Sequence, residues 1–166
     1  MRKVKKFKLT SEFIVDISGV KLFRIKALIE FGNVKAGDLG GYIEKEENLS
    51  HMGNAWVSGD AQVSGNARVF GNAWVSGNAR VSGDAWIYGD ARVSGDKDYA
   101  YAHGFGSCNR TTTFFRLKDG DVGVRCGCFY GTLAQFRDKV CETHGETKKA
   151  QEYLMLADLM EIRFKN

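Results

Sequence analysis

The stretch "GNARVFGNAWVS", Gly65 to Ser76, states one six-residue phrase twice. Gly recurs every six residues from Gly53 to Gly95, and Asn or Asp follows each time. Ala recurs from Ala55 to Ala91 and Val or Ile from Val57 to Val93, through seven hexads without a slip. A fixed short period marks a stacked-repeat fold, and six-residue periods belong to parallel β-helices. The physical reading is direct. Ala and Val are two apart, so on a strand they share one face, which points inward. Gly followed by Asn or Asp tolerates the positive φ of a sharp corner. Proline would remove ladder donors, and the chain has none.

Composition agrees. The 166 residues suffice for one ordinary domain or two small ones, and 43% are hydrophobic, enough for a core. The 20 glycines concentrate in the repeat rather than in a low-complexity tail. A formal charge of +4 suits anionic small ligands but falls short of a signature for long nucleic acid. No apolar segment follows the basic start "MRKVKKFKLT", and no run of 18 apolar residues exists. We therefore expect no membrane partner and a cytoplasmic location. The four cysteines, all in the last third, are expected as reduced, mostly buried thiols.

The repeat over residues 53–96 resembles the hexapeptide-repeat, left-handed β-helix family. That resemblance implies a left-handed triangular prism with three hexads per turn, so residues 18 apart stack. One side then carries Trp56, Trp74 and Arg92. The second carries Gln62 and Arg80. The third pairs Arg68 with Trp86 and Phe70 with Tyr88. Outward aromatic stripes usually mark protein interfaces. Trp56, Arg68, Phe70, Trp74, Trp86 and Tyr88 are accordingly expected in an oligomer interface, and the family habit is a homotrimer.

The flanks complete a three-part organisation: a β cap at 1–50, the β-helix at 51–96 and a small α+β domain at 97–166. In the cap, Ser18-Gly19 is placed to turn a hairpin, and "GDLGGYIEKEENLS" reads as irregular first hexads. In the last part, "DKDYAYAHGFGSCNR" reads as a loop, and "TTTFFRL" and "VGVRC" as paired strands. Thr132 with Gln135 forms a capping box for a helix from about Leu133 to Thr143, ended by Gly145. Thr147 caps a second helix to about Arg163. The expected fold is thus mainly β, with a ββαα C-terminal domain.

That domain, with "GSCNRTTTFFR" and "CGCFYGTLAQF", resembles one found in phage and prophage proteins, attached there to hexapeptide repeats behind a cap like "RIKAL…FGNVKAGDLGGYIEKEENLS". The resemblance spans essentially the whole chain. It implies a viral origin and work inside the host bacterial cytoplasm, and it carries no activity over.

Chemistry is sparse. "GFGSCNRTTT" joins two glycines, hydroxyls, an amide and an Arg, a set suited to gripping an anion, although the Lys-Ser/Thr ending of a phosphate-binding loop is missing. Arg125, on the strand pairing with "TTTFFRL", is expected near Arg110. Ser107, Asn109, Arg110, Thr112 and Arg125 are therefore the candidate ligand-binding residues. Cys126 and Cys128 alone make a weak zinc signature, so no metal and no cofactor is expected. His51, His103 and His144 all lie outside the regular coils, which argues against a hexapeptide-repeat acyltransferase; no catalytic residue is assigned. Two function classes lead, with an acyltransferase as a less favoured third. One is a phage binding protein that sequesters an anionic nucleotide-type immune signal. The other is a structural trimeric spacer or protein-interaction module.

Overall fold

The computed structural model describes residues 4–107 and 110–165. Two-residue strands recur at each hexad: β4 (Trp56–Val57), β5 (Gln62–Val63), β6 (Arg68–Val69), β7 (Trp74–Val75), β8 (Arg80–Val81), β9 (Trp86–Ile87) and β10 (Arg92–Val93). The first four each pair in parallel with the strand three hexads on: Trp56 with Trp74, Gln62 with Arg80, Arg68 with Trp86, Trp74 with Arg92. The coil therefore has three sides and closes every eighteen residues, as the resemblance to hexapeptide-repeat coils implies. Gly53 to Gly89 all take φ between 60° and 71° at the corners. Every repeat Ala and Val/Ile is buried, so the prism interior is a continuous aliphatic column.

A solenoid leaves unpaired backbone groups at both ends, and this chain covers them from its flanks. At the N-terminal end, β1 (Phe7–Val15) and β2 (Lys21–Ala27) form an antiparallel hairpin that pairs with β3 (Leu39–Ile43). β3 in turn lies parallel to β5, with Tyr42 beside Gln62, and Leu49 bridges Val69. The segment read as irregular first hexads thus supplies a starting coil. Two buried polar side chains finish the job. Lys6 Nζ donates to the carbonyls of Ala55 (2.6 Å) and Gly53 (3.3 Å). Asn48 Nδ2 donates to those of Ala67 (2.9 Å) and Gly65 (3.2 Å).

The C-terminal end is closed by a second domain with its own sheet. Its order is β11 (Tyr99–His103), β12 (Thr111–Arg116), β13 (Val122–Cys126), β14 (Phe129–Thr132), all antiparallel. Helices α1 (Leu133–His144) and α2 (Lys148–Arg163) cover one face, capped by Thr132 and Thr147 as their sequences require. Two strands more than the expected ββαα are present, because Tyr99–His103 is a strand rather than a loop and Phe129–Thr132 adds the other edge. Strand alternation divides the domain's contacts. Phe114 and Val124 enter the helix-side core, whereas Phe115 joins the core of the solenoid. Thr113 Oγ1 accepts the N–H of Trp86 (3.1 Å), and Asp96 Oδ1 accepts that of Arg80 (2.7 Å), so both ends of the coil are capped.

Two expectations are corrected by packing. Trp56 does not stand free on an outward stripe: it is 2% exposed, held edge-on by Phe31 at 5.3 Å beneath the N-terminal cap. The cysteines are not mostly buried: Cys128 and Cys141 are exposed and Cys126 is half-buried, while Cys108 lies outside the described residues.

Candidate functional site

The site lies on the coil side formed by β6 and β9. These strands put Arg68 and Trp86 side by side, with Phe70 and Tyr88 following at a ring separation of 4.6 Å. The C-terminal sheet leans over this side. Tyr130 meets Tyr88 edge-on at 4.9 Å, and Arg125 inserts its guanidinium between three rings. The guanidinium carbon lies 4.7 Å from the Tyr88 centroid, 5.5 Å from Phe70 and 5.6 Å from Trp86. Aromatic faces attract a cation without supplying a hydrogen-bond acceptor. Arg125 Nε is accordingly buried with no hydrogen-bond partner among the described residues. A buried donor left unpaired is costly, and the three surrounding rings offset part of that cost.

Beside it opens a cavity of about 370 Å³. Trp86, Arg110 and Arg125 line it, with His103, Thr111 and Asp84 completing the wall. His103 and Thr111 face each other across β11 and β12 and share a hydrogen bond, Nδ1 to Oγ1, of 2.8 Å. Arg110 is seated over Gly127, whose φ of 59° and missing side chain leave room for the guanidinium. On the far side of Trp86, two further cavities of about 800 and 470 Å³ share Arg68. Trp86 borders all three and is 37% exposed, with the guanidinium carbons of Arg68 and Arg125 at 5.8 and 5.6 Å from its ring centroid.

The candidate residues divide as follows. Arg110 and Arg125 are brought together, as expected. Ser107 instead borders a smaller cavity of about 190 Å³ on the helix side, which Arg110 also reaches. Its N–H donates to Tyr153 Oη (2.8 Å), whose phenol is pushed up to about 12 by burial and by the hydrogen bond from Cys126. Thr112 is corrected: it is 1% exposed and donates to Cys126 Sγ (3.3 Å) in the helix-side core. Alternation along β12 puts Thr111 on the cavity side instead. Asn109 lies outside the described residues. Trp86, Arg68 and Phe70, assigned to an oligomer interface, border the ligand-sized cavities, and Phe70 and Tyr88 are partly covered by their own C-terminal domain. Trp74 stays half-buried on the side it shares with Arg92. Sequence reading passed over Asp84 and Gly127, whose only signal is their placement in three dimensions, and weighed His103 only as a catalytic histidine. No cluster of metal-ligating side chains occurs among the described residues, and no described helix is long and apolar enough to cross a membrane.

Comparison with known proteins reaches only the repeat. A family model described as the YdcK beta solenoid repeat matches residues 61–77 and 73–88. The coil is thus similar to β-solenoid repeats over those residues, and the match stops short of both flanking parts. No curated protein matches the chain.

Proposed function

We propose that this chain is a phage-encoded binding protein that sequesters an anionic nucleotide-type immune signal, a cyclic oligonucleotide or a cyclic ADP-ribose derivative, in the cytoplasm of the host. The observation that carries this reading is the company kept by Arg125: its side chain lines one cavity together with Arg110 and Trp86. Guanidinium groups bind phosphate through directed, charge-assisted hydrogen bonds, and an indole stacks on a base. Sequestration requires no catalytic group, only affinity. A left-handed coil trimerising through its Trp74 side would present three such cavities.

The test is a thermal-shift panel of cyclic and linear nucleotides on the full chain, followed by native mass spectrometry of the freshly purified protein. A true ligand at 100 times its Kd adds about 2.7 kcal/mol of stability. The shift should vanish in Arg110→Ala, and the ligand released by heating should be recovered intact. No shift across the panel rejects the reading.

A second reading, a structural spacer that docks another protein, is favoured by one observation. Met155, Leu159 and Ile162 form an apolar stripe on α2, 55–72% exposed. Retention of the whole chain's oligomeric state in Met155→Glu/Leu159→Glu, with nucleotide binding intact, would leave that stripe without a self-association role.

A further inference from the structure

We infer that the Trp86 cavity selects guanine among the bases, and that Asp84 is the residue that reads it. This rests on the nucleotide reading above and adds to it the identity of the base. The starting point is an apparent contradiction. A cavity with two guanidinium groups invites an anion, yet Asp84 puts a carboxylate into the same wall. Were Asp84 simply neutralising an arginine, an ion pair would join them. None within 4.0 Å links Asp84 to Arg110 or Arg125 among the described residues. Its one hydrogen bond there comes from Asn66 Nδ2 to Oδ1, at 3.2 Å. That contact is solvent-exposed, and no hydrogen bond from a described residue reaches Oδ2, which leaves it open to a ligand.

An ionised carboxylate only accepts hydrogen bonds. It therefore selects for a ligand edge that only donates. Asp84 lies in the corner turn just before β9, and it shares the cavity wall with Trp86. A base stacked on the Trp86 indole turns its edge toward the neighbouring corner. Guanine presents N1–H and the N2 amino group side by side, two donors for one carboxylate. Adenine and cytosine each place a ring-nitrogen acceptor next to their single amino group, which sets lone pair against lone pair. Uracil flanks its one N–H with two carbonyls. The phosphate is then left to Arg110 and Arg125, so the two charge signs in the wall serve two parts of one ligand. A base-edge pair of this bidentate kind discriminates by about 1–3 kcal/mol, which is roughly five- to 150-fold in affinity.

Calorimetric titration of the full chain with GMP, AMP and IMP, and with inorganic pyrophosphate as a base-free probe, tests this. GMP should bind about tenfold or more tighter than AMP, with IMP, which lacks the 2-amino group, in between. Asp84→Asn should erase the preference while leaving pyrophosphate binding unchanged or stronger. That variant keeps the fold, since Asn already occupies the equivalent corners at Asn66, Asn72 and Asn78. AMP binding as tightly as GMP, or a guanine preference that survives Asp84→Asn, overturns the assignment while the nucleotide site stands. Binding of pyrophosphate alone overturns base recognition altogether. Binding of none of the four removes the nucleotide reading, and this inference with it.

Discussion

Arg125 reaches from the C-terminal sheet to the side of the solenoid, and its guanidinium carbon stands 4.7 Å from the centre of the Tyr88 ring. The two residues belong to different parts of the chain, so this contact joins the domains. It also sets the wall of the cavity. One side chain thus contributes both to the contact between the two parts and to the cavity wall.

Arg125→Ala should accordingly do two things. Loss of a largely desolvated cation–π cluster should cost about 2 kcal/mol of stability, read by urea denaturation. Nucleotide-induced thermal shifts should also disappear. Arg125→Lys keeps a positive charge but loses the planar fork, so it should recover part of the stability and little of the binding.

Lys6 makes stability depend on pH. Burial lowers its ammonium from the usual 10.5 to about 8. Between those values the unfolded chain binds the proton and the folded chain releases it, so stability rises with pH across that window. Below pH 8 both states hold the proton and the penalty is constant. Denaturation from pH 7.5 to 10.5 should show a gain of up to about 3 kcal/mol, absent in Lys6→Met. A flat wild-type profile would show that the carbonyls of Gly53 and Ala55 keep the ammonium charged.

Asn48 caps two carbonyls from a fully buried position. Asn48→Ala should leave both without a donor, at a cost of about 1–3 kcal/mol for each buried group. Hydrogen exchange should localise the loosening to the first coil. Stability within 0.5 kcal/mol of wild type, roughly the level of a neutral surface change, would mean that water replaces the amide.

Trp56 and Trp74 stack on one side but differ in cover, so their truncations should separate. Trp56→Ala should cost about 3–5 kcal/mol, as for other large buried rings, and leave the oligomeric state alone. Trp74→Ala should leave a folded chain of smaller mass by light scattering, if that side forms the three-fold contact. An unchanged mass assigns Trp74 to the chain's own packing.

Gly127→Ala adds one methyl group where the Arg110 guanidinium rests, at a φ of 59° that disfavours a side chain. Pyrophosphate affinity should fall several-fold. Loss of about 1 kcal/mol of stability from the backbone alone should accompany it. Unchanged affinity would show that Arg110 binds from another rotamer.

The resemblance to three-sided hexapeptide coils supplied which residues stack; the hexad period alone determined the corners at Gly-Asn and Gly-Asp and the inward Ala and Val. Those features depend on local alternation and on a fixed repeat, both written along the chain. The helix caps at Thr132 and Thr147 were legible for the same reason, because capping is settled within four residues. What the period could not reach is what covers the coil. Trp56 and Trp86 occupy identical letters of the phrase, yet one lies beneath the N-terminal cap and the other stands open in a cavity. Only the tertiary structure decided this, because the covering residues come from elsewhere. Phe31 precedes the coil and Arg125 follows it, and no local rule connects them to the rings they touch. Thr111 and Thr112 exchanged roles for a related reason. Alternation shows that they face opposite ways, but the packing of one sheet between solenoid and helices settles which way is the cavity.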